Sequence, residues 1–206
     1  MFYKKIVSIF VIYILFFVSL FSNLVEVIKV NPNIKLDIRY ATKNNFTGKV
    51  VYPSARCFLH EELVKELDLI QKELEKEGLS LKIYDGYRPL SVQKIFWEIY
   101  PVEGFVANPY KNGASKHNRG TAVDLTLVDL KTDKELEMPS DFDEFTQRAH
   151  RDYSKMTSEI AKKNCKKLED LMQAHGFIGV PTEWWHYNWK DWEQYPVLDI
   201  DFDKID

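Results

Sequence analysis

Residues 115–125 read Ser-Lys-His-Asn-Arg-Gly-Thr-Ala-Val-Asp-Leu. The pattern from 121 to 128 favours a β-strand, which fixes the face on which Asp124 lies. Burying an aspartate in such an apolar strand is costly unless it is paired or binds a metal, so a buried salt bridge is the alternative. Gly120 permits a sharp turn, so His117 in the preceding loop can converge on Asp124 although the two are seven residues apart.

A second motif, Glu183-Trp184-Trp185-His186, adds another imidazole and a carboxylate. Together, His117, Asp124 and His186 predict a zinc site with one open position, which is the mark of a catalytic zinc rather than a structural one. Glu183 can then act as a general base towards the attacking water. Residues three apart on a straight strand point to opposite faces, so we expect a bend around 181–183. The pattern indicates a metal-dependent hydrolase.

Arg88 lies in Gly86-Tyr87-Arg88-Pro89, directly after an apolar strand. On its own it is best interpreted as a surface cation. In a zinc hydrolase, a fixed guanidinium can stabilise the oxyanion that forms on the scissile carbonyl.

The chain has 206 residues, enough for one domain with a full core. Its hydrophobic content of 45% and charged content of 29% are ordinary for a globular protein. The net charge of -3 provides no basic excess to bind phosphates, which argues against a nucleic-acid partner.

The order of elements predicts a single α+β domain with an antiparallel sheet flanked by helices. We expect helices and strands in mixed order without regular β-α-β alternation. Helices are expected near 61–77, 91–100 and 154–174, and strands near 81–84, 121–128 and 178–189. On the last helix, Ile160, Leu168, Leu171 and Met172 are the candidates for its buried side.

Before the domain, Lys4 and Lys5 precede an unbroken apolar run over 6–21. Such a run predicts that residues 1–22 are a signal peptide or, as second choice, an uncleaved membrane anchor, with the catalytic domain at 23–206. The domain is then exported, to the periplasm or the outer face of the cytoplasmic membrane. In that compartment Cys57 and Cys165 either pair or remain two separate buried thiols.

Three motifs in the same order resemble one known family. They are Gly86-Tyr87-Arg88-Pro89, Ser115-x-His117-x-x-Gly120-x-Ala122-x-Asp124 and Glu183-Trp184-Trp185-His186. The chain is similar to the D-alanyl-D-alanine dipeptidases, within the wider group of zinc D,D-peptidases and hedgehog-like folds. The resemblance extends from Asp37 to about Trp189.

This resemblance implies one Zn²⁺ per chain, held by His117, Asp124 and His186, and a small D,D-dipeptide as substrate. It makes Glu183 the base and then the proton donor to the leaving amine, and Arg88 the oxyanion stabiliser. It also places Ser115 beside the bound dipeptide. One departure occurs at 137–143, Glu-Met-Pro-Ser-Asp-Phe-Asp, where the family usually has Asp-Met-Gly-Thr-x-Phe-Asp. Asp143 is kept there as a contact for the substrate ammonium.

Three other functions are compatible with the sequence. A D,D-carboxypeptidase trimming peptidoglycan stem peptides would use the same residues in a more open groove. A non-catalytic, zinc-stabilised cell-wall-binding domain would need the ligands but neither Glu183 nor Arg88. A secreted domain without metal requires all three motifs to coincide by chance. The oligomeric state does not follow from the sequence.

Overall fold

The computed structural model of the protein describes residues 24–111, 114–156 and 158–205. Its single domain combines helices with a central sheet, which confirms the predicted α+β class. The apolar segment predicted to direct export lies outside the described residues. Within the described ranges, no helix is long and apolar enough to cross a bilayer.

The regular elements follow one another in mixed order along the chain. The helices are α1 (Val27–Val30), α2 (Glu61–Glu75), α3 (Leu90–Ile99) and α4 (Glu159–Ala174). The strands are β1 (Leu24–Glu26), β2 (Lys35–Leu36), β3 (Phe58–His60), β4 (Leu79–Asp85), β5 (Ala122–Asp129), β6 (Lys134–Glu135), β7 (Phe177–Val180) and β8 (Glu183–Trp189).

The main sheet has the strand order β2-β4-β5-β8-β7, with β6 pairing beside β5. It is antiparallel, as predicted, except where the edge strand β2 runs parallel to β4. β1 and β3 form a separate antiparallel pair. In the centre, β5 is buried along nearly its whole length, so any charged group that it carries must find a partner within the protein.

Apolar periodicity explains why the two long helices cover the sheet. α2 packs against β4 through buried side chains at helical spacing, among them Leu63, Leu67 and Leu74. α4 packs against β7 and begins at Glu159, because the Ser158 hydroxyl caps its first turn by accepting from the Ala161 amide.

The structure corrects the predicted boundary and face of α4. The helix begins five residues later than the predicted Ser154, and its buried stripe is Ala161, Cys165, Leu168 and Met172. Ile160 lies beside this stripe and is 62% exposed, so its assignment to the core was wrong. The two cysteines, Cys57 and Cys165, are separate buried thiols, the second of the two states considered.

Two irregular positions interrupt the sheet, both at one end. The ladder between β4 and β5 shifts register between Ile83 and Asp85, and that between β7 and β8 shifts between Gly179 and Val180. Such bulges re-aim side chains and are common next to active sites. The predicted bend of the last motif is therefore present, and it lies at the end of the sheet where the polar residues collect.

Candidate active site

Three strands bring polar side chains into one row across the sheet. Asp124 on β5 is paired with His186 on β8 and with Asp85 on β4. Paired residues on neighbouring strands point to the same face, which explains why side chains so far apart in sequence meet. The Asp124 Oδ1 atom lies 2.9 Å from Nδ1 of His186.

His117 joins this row from a short 3₁₀ turn before β5. The turn, Lys116–Arg119, is closed by Gly120 in the left-handed conformation at φ 65°. A hydrogen bond from the His117 amide to the Ser115 hydroxyl fixes its start. His117 Nε2 lies 3.1 Å from Nδ1 of His186 and 3.3 Å from Oδ1 of Asp124. The three residues predicted to bind zinc therefore form a single cluster.

The hydrogen bonds behind the two histidines determine which ring nitrogen faces the cluster. Nδ1 of His117 donates to the carbonyl oxygen of Gly86 at 2.7 Å, and Nε2 of His186 donates to Oδ1 of Asn188 at 2.8 Å. Each inward nitrogen is then an unprotonated lone-pair donor in the neutral ring. Such partners on the far nitrogen are typical of metal-ligating histidines.

The donor set fits a zinc ion. A carboxylate oxygen and two lone-pair nitrogens at 2.9–3.3 Å repel one another unless a cation lies between them. Zinc accepts this combination of nitrogen and oxygen ligands at ~2.0–2.2 Å. Within the described residues, this is the cluster suited to a metal.

Glu183 lies beside the cluster without belonging to it. Its Oε2 atom is 3.8 Å from Nδ1 of His186, and its side chain is largely buried. Burial raises the pKa of Glu183 to about 7, assisted by the charges of Asp124 and Asp143 and opposed by those of His186 and Arg88. A carboxylate whose pKa lies near neutrality can accept and return a proton in the same reaction cycle.

Arg88 is held in the site by buried partners, so the surface position that it would occupy on its own is excluded. Its Nε and Nη2 atoms donate to Oδ2 of Asp85 at 3.1 and 2.6 Å. Nη1 donates to Oε1 of Gln93 at 2.7 Å, and the guanidinium carbon lies 4.5 Å from the ring centre of Phe96. Burial lowers the pKa of Arg88, but Asp85, Tyr52, Tyr40 and Asp124 together outweigh it and raise that pKa, so the guanidinium stays charged.

Asp85 and Gln93 are site residues that the sequence analysis did not select. Asp85 also accepts from the Tyr52 hydroxyl at 2.7 Å, and Gln93 donates to the Ala107 carbonyl at 2.8 Å. A signal for Asp85 was available, because an aspartate ending an apolar strand raises the same question as Asp124. Gln93 carried no comparable signal, because an amide on a helix is ordinary.

Asp143 is a further buried carboxylate of the site. Its carboxylate accepts from the Tyr40 hydroxyl at 3.1 Å and from the Phe46 amide at 3.4 Å. Burial raises the pKa of Asp143 to about 7, with a further contribution from Asp124. The backbone of Asp143 is left-handed at φ 61°, in the loop that departs from the family pattern.

All seven residues selected from the sequence line one cavity of ≈ 230 Å³. This set is Arg88, Ser115, His117, Asp124, Asp143, Glu183 and His186. The apolar side of the cavity is made of aromatic rings, including Phe46, Phe96, Phe105 and Phe145. The volume lies below the ~300–1,000 Å³ of pockets for drug-sized ligands. The cavity therefore has the size to hold a small polar molecule.

The raised pKa of Asp143 predicts a pH-dependent effect on stability. Its folded pKa of about 7 exceeds the ~3.9 of an unfolded aspartate, so folding favours the protonated form. The resulting penalty is absent below about pH 4 and complete above about pH 7. We expect Asp143→Asn to raise the Tm of the metal-free protein at pH 8 relative to the wild type, and to change it little at pH 4.5.

Calorimetry at the two pH values measures this difference. Asp141→Asn is the matched control, because Asp141 is exposed two residues away and should give the same Tm difference at both pH values. A Tm change for Asp143→Asn that is equal at pH 4.5 and pH 8 would contradict the prediction.

Comparison with known proteins shows the family of the chain. Residues 21–204 match the family described as D-ala-D-ala dipeptidase. A D-alanyl-D-alanine dipeptidase of Escherichia coli (strain K12) is 35% identical over 177 residues, covering 86% of this chain and 90% of that protein. One from Enterococcus faecium is 32% identical over 187 residues, covering 82% and 92%. Among solved structures, the LdcB LD-carboxypeptidase is 20% identical, covers 90% of this chain and 79% of its own, and gives a TM-score of 0.47.

Proposed function

The chain belongs to the D-Ala-D-Ala dipeptidase family of metallopeptidases, and from this premise we propose that it hydrolyses free D-alanyl-D-alanine in a zinc-dependent reaction. The observation that carries the proposal is the convergence of three metal-ligand atoms, a carboxylate of raised pKa and a buried guanidinium on one small cavity. A purely structural zinc site would need neither the Glu183 carboxylate, nor the Arg88 guanidinium, nor a cavity beside the ligands.

His117, Asp124 and His186 would hold the metal ion. When bound, Zn²⁺ would supply Lewis acidity and lower the pKa of a coordinated water. The rest of the chemistry falls to the chain itself. Glu183 accepts the proton of the attacking water as its oxygen adds to the peptide carbonyl. The same carboxyl group then gives the proton to the leaving amine.

Arg88 stabilises the negative charge that develops on the carbonyl oxygen. Its guanidinium is held by Asp85 and Gln93 before the reaction begins, so little reorganisation is needed when charge appears. Preorganised donors of this kind typically contribute ~10²–10³-fold to kcat.

The substrate is recognised by its ammonium group and by its size. Asp143 pairs with the free ammonium group, and this pairing would return its pKa towards the ordinary range. Ser115 lines the cavity beside His117 and would contact the dipeptide there. The cavity of ≈ 230 Å³ favours a free dipeptide over a longer stem peptide, which is the substrate of the rival carboxypeptidase activity.

Hydrolysis of four substrates by the zinc-loaded protein tests the function. We expect turnover of D-Ala-D-Ala, with N-acetyl-D-Ala-D-Ala cleaved ~10²-fold more slowly or not at all, because acetylation removes the charge that Asp143 recognises. L-Ala-L-Ala tests the preference for D residues. A muropeptide ending in D-Ala-D-Ala tests the alternative D,D-carboxypeptidase activity.

Each result has a distinct meaning. Faster cleavage of the muropeptide than of the free dipeptide would move the assignment to a D,D-carboxypeptidase. Stoichiometric zinc without turnover of any substrate would overturn the enzyme function and favour a zinc-stabilised binding domain. Asp143→Asn should lower kcat/KM for the free dipeptide and leave that for the acetylated one unchanged.

We further propose that the domain works outside the cytoplasm. The apolar run over 6–21 after two lysines supports export. Fractionation of cells expressing the full chain tests this, with activity in the cytoplasmic fraction as the contrary result.

A further inference from the structure

The hairpin that carries Glu183 and His186 departs from a regular ladder at the catalytic motif. Gly179 pairs with Tyr187 and Val180 pairs with Glu183, so one step along β7 corresponds to four steps along β8. The additional residues of β8 are those of the motif itself. This irregularity brings two side chains that a straight strand would separate onto one cavity. Buried carbonyl groups in such a segment lose their usual partners and need others.

Arg151 supplies those partners. Its Nε donates to the Val180 carbonyl and its Nη2 to the His186 carbonyl, both at 2.9 Å. Nη1 donates to the Tyr187 hydroxyl at 2.9 Å. The Arg151 amide adds a fourth hydrogen bond, to the Pro181 carbonyl at 2.9 Å. One residue therefore binds the hairpin before and after Glu183.

The packing around Arg151 is specific to a planar guanidinium. The side chain is 6% exposed, and its Cζ atom lies 4.3 Å from the ring centre of Tyr187. Gly179 leaves the space that the group occupies, since a Cβ there would lie 2.6 Å from Cζ of Arg151. Glu169 on α4 provides the countercharge at 3.8 Å.

Arg151 lies on the side of the sheet away from the cavity. It packs on Tyr187, whose side chain points to the opposite face from that of the neighbouring His186. It is not among the residues that line the cavity. Any effect of Arg151 on the reaction must therefore pass through the backbone of the hairpin.

We propose that Arg151 is a positioning residue that holds the irregular hairpin so that the Glu183 carboxylate and the His186 imidazole share one cavity. The expected effect of Arg151 on turnover rests on the proposed function. A lysine has one ammonium group and cannot bridge two carbonyls and a hydroxyl in the fixed geometry of the guanidinium fork. Arg151→Lys therefore keeps the charge and removes the positioning.

The test compares Arg151→Lys and Arg151→Met with the wild type. We expect kcat for D-Ala-D-Ala to fall ~10²-fold in both variants, since a displacement of about 1 Å at the reacting groups has that effect. KM should stay nearly constant, because Asp143 and Ser115 are untouched. Zinc affinity, measured by competition with a chelator, should also fall, and amide exchange should rise in residues 177–189 of the metal-free protein.

Arg56→Met is the matched control. Arg56 forms a similar two-pronged ion pair, with Glu26 at 3.0 and 2.8 Å, and stacks over Phe58 away from the hairpin. It should leave kcat, zinc affinity and exchange of the hairpin unchanged, whatever it does to the Tm. If Arg151→Met does not fold, Arg151→Lys and Gly179→Ala decide the question, the latter because its Cβ displaces the guanidinium.

The proposal is overturned if folded Arg151→Lys keeps wild-type kcat and zinc affinity. It is equally overturned if kcat falls only in proportion to the unfolded fraction while exchange rises evenly over the whole sheet. Failure of the proposed function is a separate outcome, because an inactive wild type would leave the zinc affinity and exchange measurements on Arg151 fully readable.

Discussion

Glu183→Gln should reduce kcat for D-Ala-D-Ala by at least ~10²–10⁴-fold, the contribution of a general base. Glutamine has nearly the same shape, but its amide oxygen cannot take a proton from water at neutral pH. The raised pKa of Glu183, about 7, means that the wild-type carboxyl group can both accept and return the proton. KM should change little, because this side chain acts on the water. Steady-state kinetics on the zinc-loaded protein measure both constants.

Measurements of zinc content and folding distinguish loss of the general base from loss of the structure. Glu183 is not part of the ligand cluster, so the glutamine variant should bind one zinc ion per chain. Glu144→Gln is a suitable control, because Glu144 is absent from the cavity lining and pairs with Arg148. Retention of more than a tenth of wild-type kcat by Glu183→Gln would remove Glu183 from the mechanism.

Asp124→Asn should abolish both tight zinc binding and activity. The substitution keeps the size of the side chain and removes the negative charge from the ligand set. Loss of a residue that merely orients a ligand costs ~10–100-fold in metal affinity, and loss of the charged ligand itself should exceed that. Competition with a chromogenic chelator measures the affinity, and addition of excess zinc tests for recovery of activity.

Asp129→Asn on the same strand is the control for Asp124→Asn. Asp129 ends β5 and accepts from Thr132 in the following turn, away from the cluster. The Asp129→Asn variant should bind zinc as the wild type does. If Asp124→Asn kept wild-type zinc affinity, the metal would have to be held elsewhere, and the whole assignment of the site would fail.

Much of the site could be predicted because its chemistry is unusual for its surroundings. Asp124 lies in an apolar strand, and Gly120 permits a sharp turn just after His117. Both are local signals that can be recognised in the sequence. The structure adds the reason that they meet His186, namely the pairing of β5 with β8. The α+β class followed similarly, from helices and strands in irregular order.

The residues that the sequence did not reveal act on other residues rather than on substrate. Arg151 lies in a loop, and nothing in its neighbours indicates that it binds Val180 and His186, some thirty residues away. Gln93 is likewise identified only by the guanidinium that it contacts. Partnerships of this kind depend on tertiary structure, which periodicity and motif spacing do not contain.

The start of α4 shows a different limit of prediction from sequence. Residues 154–158 have composition compatible with a helix, yet the chain begins α4 only after Ser158. Ala161, Cys165, Leu168 and Met172 share one face of the helix, whereas Ile160 is turned away from it and is exposed. A shift of one residue turns a side chain by about 100° on a helix, so a small error of phase exchanges core for surface.

The pairing of β5 with β8 also determines when the protein can acquire its metal. His117 and Asp124 come from the middle of the chain, and their third partner enters only when β8 docks onto the central strand. An unfolded chain contains all three side chains but no site, and a half-synthesised chain lacks His186 altogether. Long-range strand pairs such as this one form slowly in folding. We therefore expect the proposed zinc ion to bind only as the sheet closes, and to come from the compartment in which the chain folds.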